Sequence, residues 1–431
     1  QVERLHETLC FLRAYPDDAR LLAQVTRMLD RFDRRADIVR HRERLADTGI
    51  AGTSIHYRFF WSTARWLATR WPGQLELERD DDEANAQLDK VLPLVAPAVA
   101  TEWFNAGTLP ALPAIDVLRG RSSDADWLVG QLARMPGDGF TREAFADGID
   151  APFVLKPGRD TPSRTKAFFA AAPRAFQVTP LRRTRPDLRA AVTVPPRSVR
   201  PLSRPQGAAL IELARGAMIT RARDLMAFEQ ADARDVRLVD DGDGLAFAFC
   251  GVIPERRFLL PALYGCLTLK NGVPMGYVQV EVIGPWAAVS FNTFDTFRGG
   301  EAGYVFGRLL SAIRHVFGAE SFSIEPYQLG QDNEEGIESG AWWFYYKLGF
   351  RPRAAAARRL ARREAALHRV NPLHRSSART LRALAEHHLY FDLDPARLRG
   401  LPPVQDALSR AVRWLARHGG AAVGARARLH A

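Results

Sequence analysis

The chain has 431 residues, 47% hydrophobic and 25% charged, a balance that fits a globular protein of two or three domains. Its longest apolar run, residues 244–254, falls far short of the roughly 20 residues a membrane-spanning helix requires, which argues against a membrane span. Three widely separated cysteines (Cys10, Cys250, Cys266) match neither a disulfide framework nor a zinc signature, so a reducing, cytoplasmic setting without a metal is expected.

The formal net charge of +11 comes from arginine, with only 5 lysines in the chain. It is concentrated in two segments: residues 351–431 carry +12 and residues 151–206 carry +10, leaving the rest net acidic. Such flanks can contact nucleic acid, but they lack interleaved aromatic residues, and a solvated surface is the simpler expectation.

Residues 1–150 read as a mainly helical domain. Leu21, Leu22, Val25, Met28, Leu29 and Phe32 share one helical face, and Phe60, Trp61 and Trp66 continue the pattern until Pro72 and Gly73. Residues 151–206 hold 10 of the 27 prolines and read as a linker or wrapping arm. From 207 to 353 the pattern becomes mixed. A helix comes first, then two hairpins turning at 241–244 and at Asn271-Gly272, and a strand at 287–297. A glycine-rich turn then opens a helix with Val305, Leu309, Ile313 and Val316 inward and His315 outward. A strand, an acidic loop, a short helix over 340–348 between Ser339 as N-cap and Gly349, and a last strand from Phe350 complete the segment. Residues 354–431 form a basic helical extension in which Ala407, Leu408, Val412 and Leu415 make one apolar face; the stretch His374 to Leu381 carries no recognisable signal.

A strand that runs through a glycine turn into a helix N-terminus is a physical anion site, because unpaired N–H groups and the helix dipole point outward there. Here the turn is Arg298-Gly299-Gly300-Glu301-Ala302-Gly303, and the later helix ends Phe344-Tyr345-Tyr346-Lys347-Leu348-Gly349-Phe350. Over about 207–353 these two motifs and their spacing resemble the GNAT superfamily of N-acetyltransferases. The family's pyrophosphate loop reads Arg/Gln-x-x-Gly-x-Gly/Ala, and its last helix ends in a pattern like Phe-Tyr-x-Lys-Leu-Gly-Phe. Glu301 stands where the loop usually has glycine, and Glu338 where an asparagine is frequent, with Asn333 the nearest asparagine. The resemblance implies an α/β (α+β) fold, a mixed sheet with helices on both faces. It also implies acetyl-CoA or another acyl-CoA as co-substrate and a small-molecule or protein amine as acceptor.

On that reading the amides of Gly299, Gly300, Ala302 and Gly303 hold a pyrophosphate with Arg298 and Asn333 beside it. The backbone of Asn292, Thr293 and Phe294 pairs with the pantetheine arm. Tyr345 is the proton donor to sulfur, since a phenol near pKa 10 stays protonated at neutral pH. Glu325 or Glu338, within the acidic stretch that includes Asp332, Glu334 and Glu335, is the base acting through water, and Asp295 is a further candidate. Two other functions fit the same residues: a GNAT-like binding or regulatory protein that has lost acyl-CoA, and a transferase using aminoacyl-tRNA held by the basic flanks.

Overall fold

A computed structural model describes residues 1–107, 109–394 and 404–418. Residues 419–431 of the basic extension, and the side chain of Leu408 within its expected apolar face, lie outside the described residues. The chain makes two compact units, one of residues 1–170 with 208–230, the other of residues 171–207 with those from 231 onward. The boundaries expected at 150 and 206 therefore differ from those of the units: the proline-rich segment is divided at 170, and part of the helix Arg204–Ile219 belongs with the first unit.

The first unit is mostly helical, as its periodicity dictates. Helix Ala19–Asp30 starts at Asp18, whose carboxylate accepts the Leu21 N–H at 2.7 Å, and buries Val25 and Leu29 with Phe32, Leu9 and Ile38. Met28, expected on that face, is exposed. Trp61 is buried at the start of helix Trp61–Arg70, while Phe60 just before it is exposed. A small antiparallel sheet of β1 (Ile55–Tyr57), β2 (Leu75–Leu77) and β3 (Phe153–Leu155), in the order β1-β3-β2, joins the same core.

The second unit is built on a nine-stranded mixed sheet ordered β11-β12-β10-β9-β8-β7-β6-β5-β4. Its strands are β4 (Ser198–Pro201), β5 (Ala231–Gly242), β6 (Leu245–Val252), β7 (Ala262–Lys270), β8 (Val273–Ile283) and β9 (Trp286–Thr293), followed by β10 (Ser321–Ile324), β11 (Arg351–Pro352) and β12 (Leu389–Asp392). Both expected hairpins form, and Asp243-Gly244 and Asn271-Gly272 all take positive φ, the backbone that a tight two-residue turn demands. The sheet takes in strands from outside 207–353. β4 comes from the proline-rich segment, and β12 from the basic extension lies between β10 and β11.

Helix Ala302–Phe317 crosses one face of the sheet with Val305, Leu309 and Ile313 buried, and ends at Gly318 in the left-handed region. Phe306 meets Phe291 of β9 with ring centroids 5.2 Å apart, and Phe317 meets Phe249 of β6 at 5.3 Å. Helix Leu188–Thr193 of the proline-rich segment packs on its other side, where a Cβ on Gly307 would come within 3.2 Å of Ala191 Cβ. The late helix runs Ala341–Leu348 and is capped by Gly340 in the left-handed region; Ser339, expected as its N-cap, closes the preceding short helix Glu334–Glu338.

Candidate functional site

β9 and β10 run parallel but pair only from Ser321 opposite Trp286 to Ser323 opposite Ala288. β9 continues to Thr293 while β10 gives way to a helical turn after Ile324, so the two strands part. Among the described residues the edge of β9 past Ala288 has no strand partner on that side, whereas its other edge stays paired with β8 up to Thr293. A crevice beyond the carboxyl ends of parallel strands is where ligands collect in open α/β sheets.

The chain leaves β9 through a tight turn. The Phe294 N–H donates to Met275 O at 2.8 Å, Arg298 N–H to Asp295 O at 3.2 Å and Gly300 N–H to Phe297 O at 3.0 Å. Helix Ala302–Phe317 then begins with no side-chain cap. Among the described residues no acceptor is found for the N–H groups of Gly299, Glu301, Ala302, Gly303 and Tyr304. Five donors at the positive end of a 16-residue helix form an electrostatically favourable seat for an anion. A Cβ on Gly299 would meet nothing within 4 Å, so the loop opens outward at that point.

Beside the loop lies a crevice lined by Thr268, Met275, Asn292, Thr293, Ala302 and Val305, too narrow as it stands for a water-sized sphere. Two features sequence reading passed over shape it. The Oγ1 of Thr268 is buried without a hydrogen-bond partner among the described residues, a condition that costs about 1–3 kcal/mol. Gly276 is the only residue type that fits its place on β8, because a Cβ there would stand 2.2 Å from the Asn292 carbonyl oxygen.

Charge around the loop is arranged differently from the expectation. The Glu301 side chain is buried, but its carboxylate turns to the proline-rich segment: Oε1 accepts the Arg182 N–H at 2.9 Å, and Oε2 lies 3.8 Å from Lys270 Nζ. Burial pushes the Lys270 ammonium down from its ordinary pKa, opposed by the Glu301 carboxylate. Arg298 pairs instead with Asp295 at 3.0 Å and with Glu335, and its Nε donates to Thr293 O at 3.3 Å. Asp295 is thereby an exposed ion-pair partner.

No protein-family model, curated protein or solved structure matches this chain.

Asn292, Thr293 and Ala302 meet at the crevice, with Gly299, Gly300 and Gly303 in the adjoining loop. The N–H of Phe294 is already used by β8. Tyr345 is not among the residues lining the crevice. Its ring packs edge-on against Phe306, Phe344 and Phe350, and burial pushes its phenol well above the usual range. Asn333 caps the helix Glu334–Glu338, accepting the Gly336 N–H at 3.2 Å and donating to Tyr327 O at 3.0 Å. Glu338 is exposed and lines a separate cavity with Trp343 and Lys347.

Glu325 has a partner that sequence reading missed. Successive strand residues face opposite ways, so Val289 and Phe291 point toward helix Ala302–Phe317 while Ala288, Ser290 and Asn292 face the other side. Glu281 of β8 stands opposite Ala288, which stands opposite Ser323 of β10, two residues before Glu325. Burial pushes the Glu281 carboxyl up, and the nearby Glu325 charge adds to the shift, while Gln279 Nε2 donates to Glu281 Oε1 at 3.0 Å. Two carboxylates thus stand where β9 and β10 part, on the sheet face opposite the anion loop. Only alternation along β8 could have revealed Glu281, and that needs the register of three strands.

Proposed function

We propose that the second unit is an N-acyltransferase that takes an acyl thioester on a diphosphate-bearing carrier, such as acetyl-CoA, and passes the acyl group to an amine. The observation that carries this reading is the set of free N–H groups at Gly299 and residues 301–304, set at the end of β9 where it parts from β10. The resemblance in the Arg298–Gly303 and Phe344–Phe350 motifs points the same way.

In the proposed reaction, the loop amides hold the diphosphate and the free edge of β9 pairs with the amide-bearing arm. The arm threads between the strands toward Glu281 and Glu325. A carboxyl raised above its usual pKa is a stronger base, and Glu281 has that property. The amine nitrogen attacks the thioester carbonyl carbon and gives its proton, directly or through water, to the carboxylate. The carbon–sulfur bond breaks, and the departing thiolate takes a proton from water. Paired acids at the mouth favour a cationic acceptor amine. Tyr345 serves as a wall of the aromatic core beneath the helix.

The test is calorimetric titration of the full chain with acetyl-CoA, beside Gly299→Glu. That substitution faces open space, so folding is retained while a carboxylate enters the amide seat. Saturable binding that weakens at least tenfold in the variant is expected. No heat at millimolar acetyl-CoA, or equal affinity in the variant, removes the proposal. A chain that folds normally yet fails this way is better read as a binding protein, a reading that the tightness of the crevice favours.

A further inference from the structure

A second opening within the second unit is lined by residues other than those of the anion loop. It is a cavity of about 590 Å³, whose wall includes Glu338, Trp343, Lys347, His368, Arg375 and Ser376. Ligand pockets for small organic molecules span roughly 300–1,000 Å³. Three separate pieces of chain supply its cations: helix Ala341–Leu348 gives Lys347, helix Ala355–Val370 gives His368, and the segment leading to helix Ala378–Ala385 gives Arg375. Only the exposed Glu338 carries opposite charge among these six.

The wall is held from behind by a buried polar network. Glu364 is 4% exposed, and its Oε2 accepts from Ser376 Oγ at 2.7 Å and stands 3.0 Å from His374 Nε2. Ser376 Oγ in turn accepts the Trp343 indole N–H at 3.1 Å. Arg375 is positioned by backbone carbonyls, with Nη1 donating to His374 O at 3.0 Å and Pro372 O at 3.4 Å, which leaves Nε and Nη2 without an acceptor among the described residues. Lys347 has no ion-pair partner among them either. The Nε2 of His368 is buried and unpartnered, with its ring 4.7 Å from Trp343 and 5.0 Å from His374. Burial, followed by the charges of His374, Lys347 and Arg375, holds the imidazole below its ordinary pKa. A free ammonium and the open side of a guanidinium are donors an oxyanion collects, and the His368 ring lies in the same wall.

We infer that this cavity is a second ligand site, which takes a small organic anion through Arg375 and Lys347, beside the His368 ring, on a wall braced by Glu364. A phosphate monoester and a carboxylate share the chemistry the site recognises. The stretch from His374 to Leu381, silent in the sequence, thereby acquires a role: it delivers Arg375 and Ser376 to the wall and continues into the next helix.

The test uses the full chain, titrated with phenyl phosphate, benzoate and benzylamine at constant ionic strength. It is read by the imidazole carbon–proton NMR signals and by thermal shift. Saturable displacement of the His368 signal by phenyl phosphate or benzoate is expected, and the tighter of the two names the oxyanion. Arg375→Met should weaken binding at least tenfold and Lys347→Met several-fold, each with the unliganded melting temperature unchanged because both side chains are exposed. Gly299→Glu should leave this binding intact, which separates it from the loop of the proposed transferase. Tighter binding of benzylamine, an unmoved His368 signal or full affinity in Arg375→Met overturns the inference.

Discussion

In the first unit, Glu229 and Asp224 are a buried carboxyl pair with no part in the proposed chemistry. Ser62 Oγ donates to Glu229 Oε2 at 2.6 Å and Thr63 Oγ1 to Asp224 Oδ1 at 3.1 Å, while Glu229 Oε1 is buried with no hydrogen-bond partner among the described residues. Burial, followed for Glu229 by the Asp224 charge, pushes Glu229 from 4.5 up to about 7, and burial pushes Asp224 from 3.8 up to about 6. The folded state therefore binds protons more tightly than the unfolded chain. The stabilisation is complete below about pH 4, declines as pH rises, and is lost once pH passes the folded values near 6 and 7. Glu229→Gln keeps the shape and removes one of the two ionisations. Its melting temperature should nearly match the wild type at pH 4.5 and exceed it at pH 8, by a stability of about 3 kcal/mol, since each pKa unit is worth about 1.4 kcal/mol. Melting curves across that range that stay parallel would show that Glu229 ionises freely in the folded protein.

Among the elements, the proline-rich segment is the one whose packing most changes the picture drawn from sequence. Arg308, in the middle of helix Ala302–Phe317, holds it in place. Its guanidinium pairs with the fully buried side chain of Asp241 at 2.7 Å and donates to Ala191 O at 2.7 Å and Val194 O at 3.0 Å. Burial raises the Asp241 carboxyl and Arg308 opposes the shift, so removing the arginine leaves a buried acid without its counter-charge. Arg308→Met should cost about 3–5 kcal/mol in denaturant unfolding and expose residues 180–197 to protease. Adding Asp241→Leu should recover most of the loss. A single variant as stable as wild type would mean that the segment needs no clamp.

Much at this scale was legible. Positive-φ turns at Asp243-Gly244 and Asn271-Gly272 are local demands of the backbone, and Val305, Leu309 and Ile313 repeat at the helical period. What escaped depended on partners far along the chain. The three-residue strands β1 to β3 are too short for alternation to register. In β12, Leu389 and Phe391 do alternate inward, within a stretch whose arginines and histidines read as helical extension. Glu301 stands where the family's loop has glycine, yet it turns to Lys270 on β7 and to the Arg182 backbone, the latter a contact that spans 119 positions and leaves no local trace. The anion loop was visible because one short run of residues makes it, whereas the Glu281–Glu325 pair exists only through strand register.

For the molecule as a whole, the arginine-rich flanks are part of the framework. Arg189 donates to the carbonyls of Asp392 and Leu393, Arg353 pairs with Asp392 at 2.9 Å, and Arg382 pairs with Glu334 at 2.7 Å. These arginines tie the proline-rich segment and the region after 353 to the sheet, which accounts for part of the basic excess without nucleic acid. β12 fills the space between β10 and β11, pairing Ser321 with Asp392 through Ile324 with Leu389 on one side, and Arg351 with Tyr390 on the other. Phe391 packs on Phe350 with centroids 5.5 Å apart, and Leu389 is fully buried. A chain cut after residue 353 keeps every residue of the two family-like motifs but loses this strand. Two sheet edges and the Phe350 ring would then be uncovered, the condition that drives edge-to-edge association. Residues 1–353 should therefore be recovered mainly as aggregate, whereas residues 1–394, which retain β12, should give a soluble species with a single cooperative melt. If both fragments melt alike, the sheet closes without β12. The aggregation of the shorter one alone would place the end of the folded unit beyond Asp392, about 40 residues past the last family-like motif.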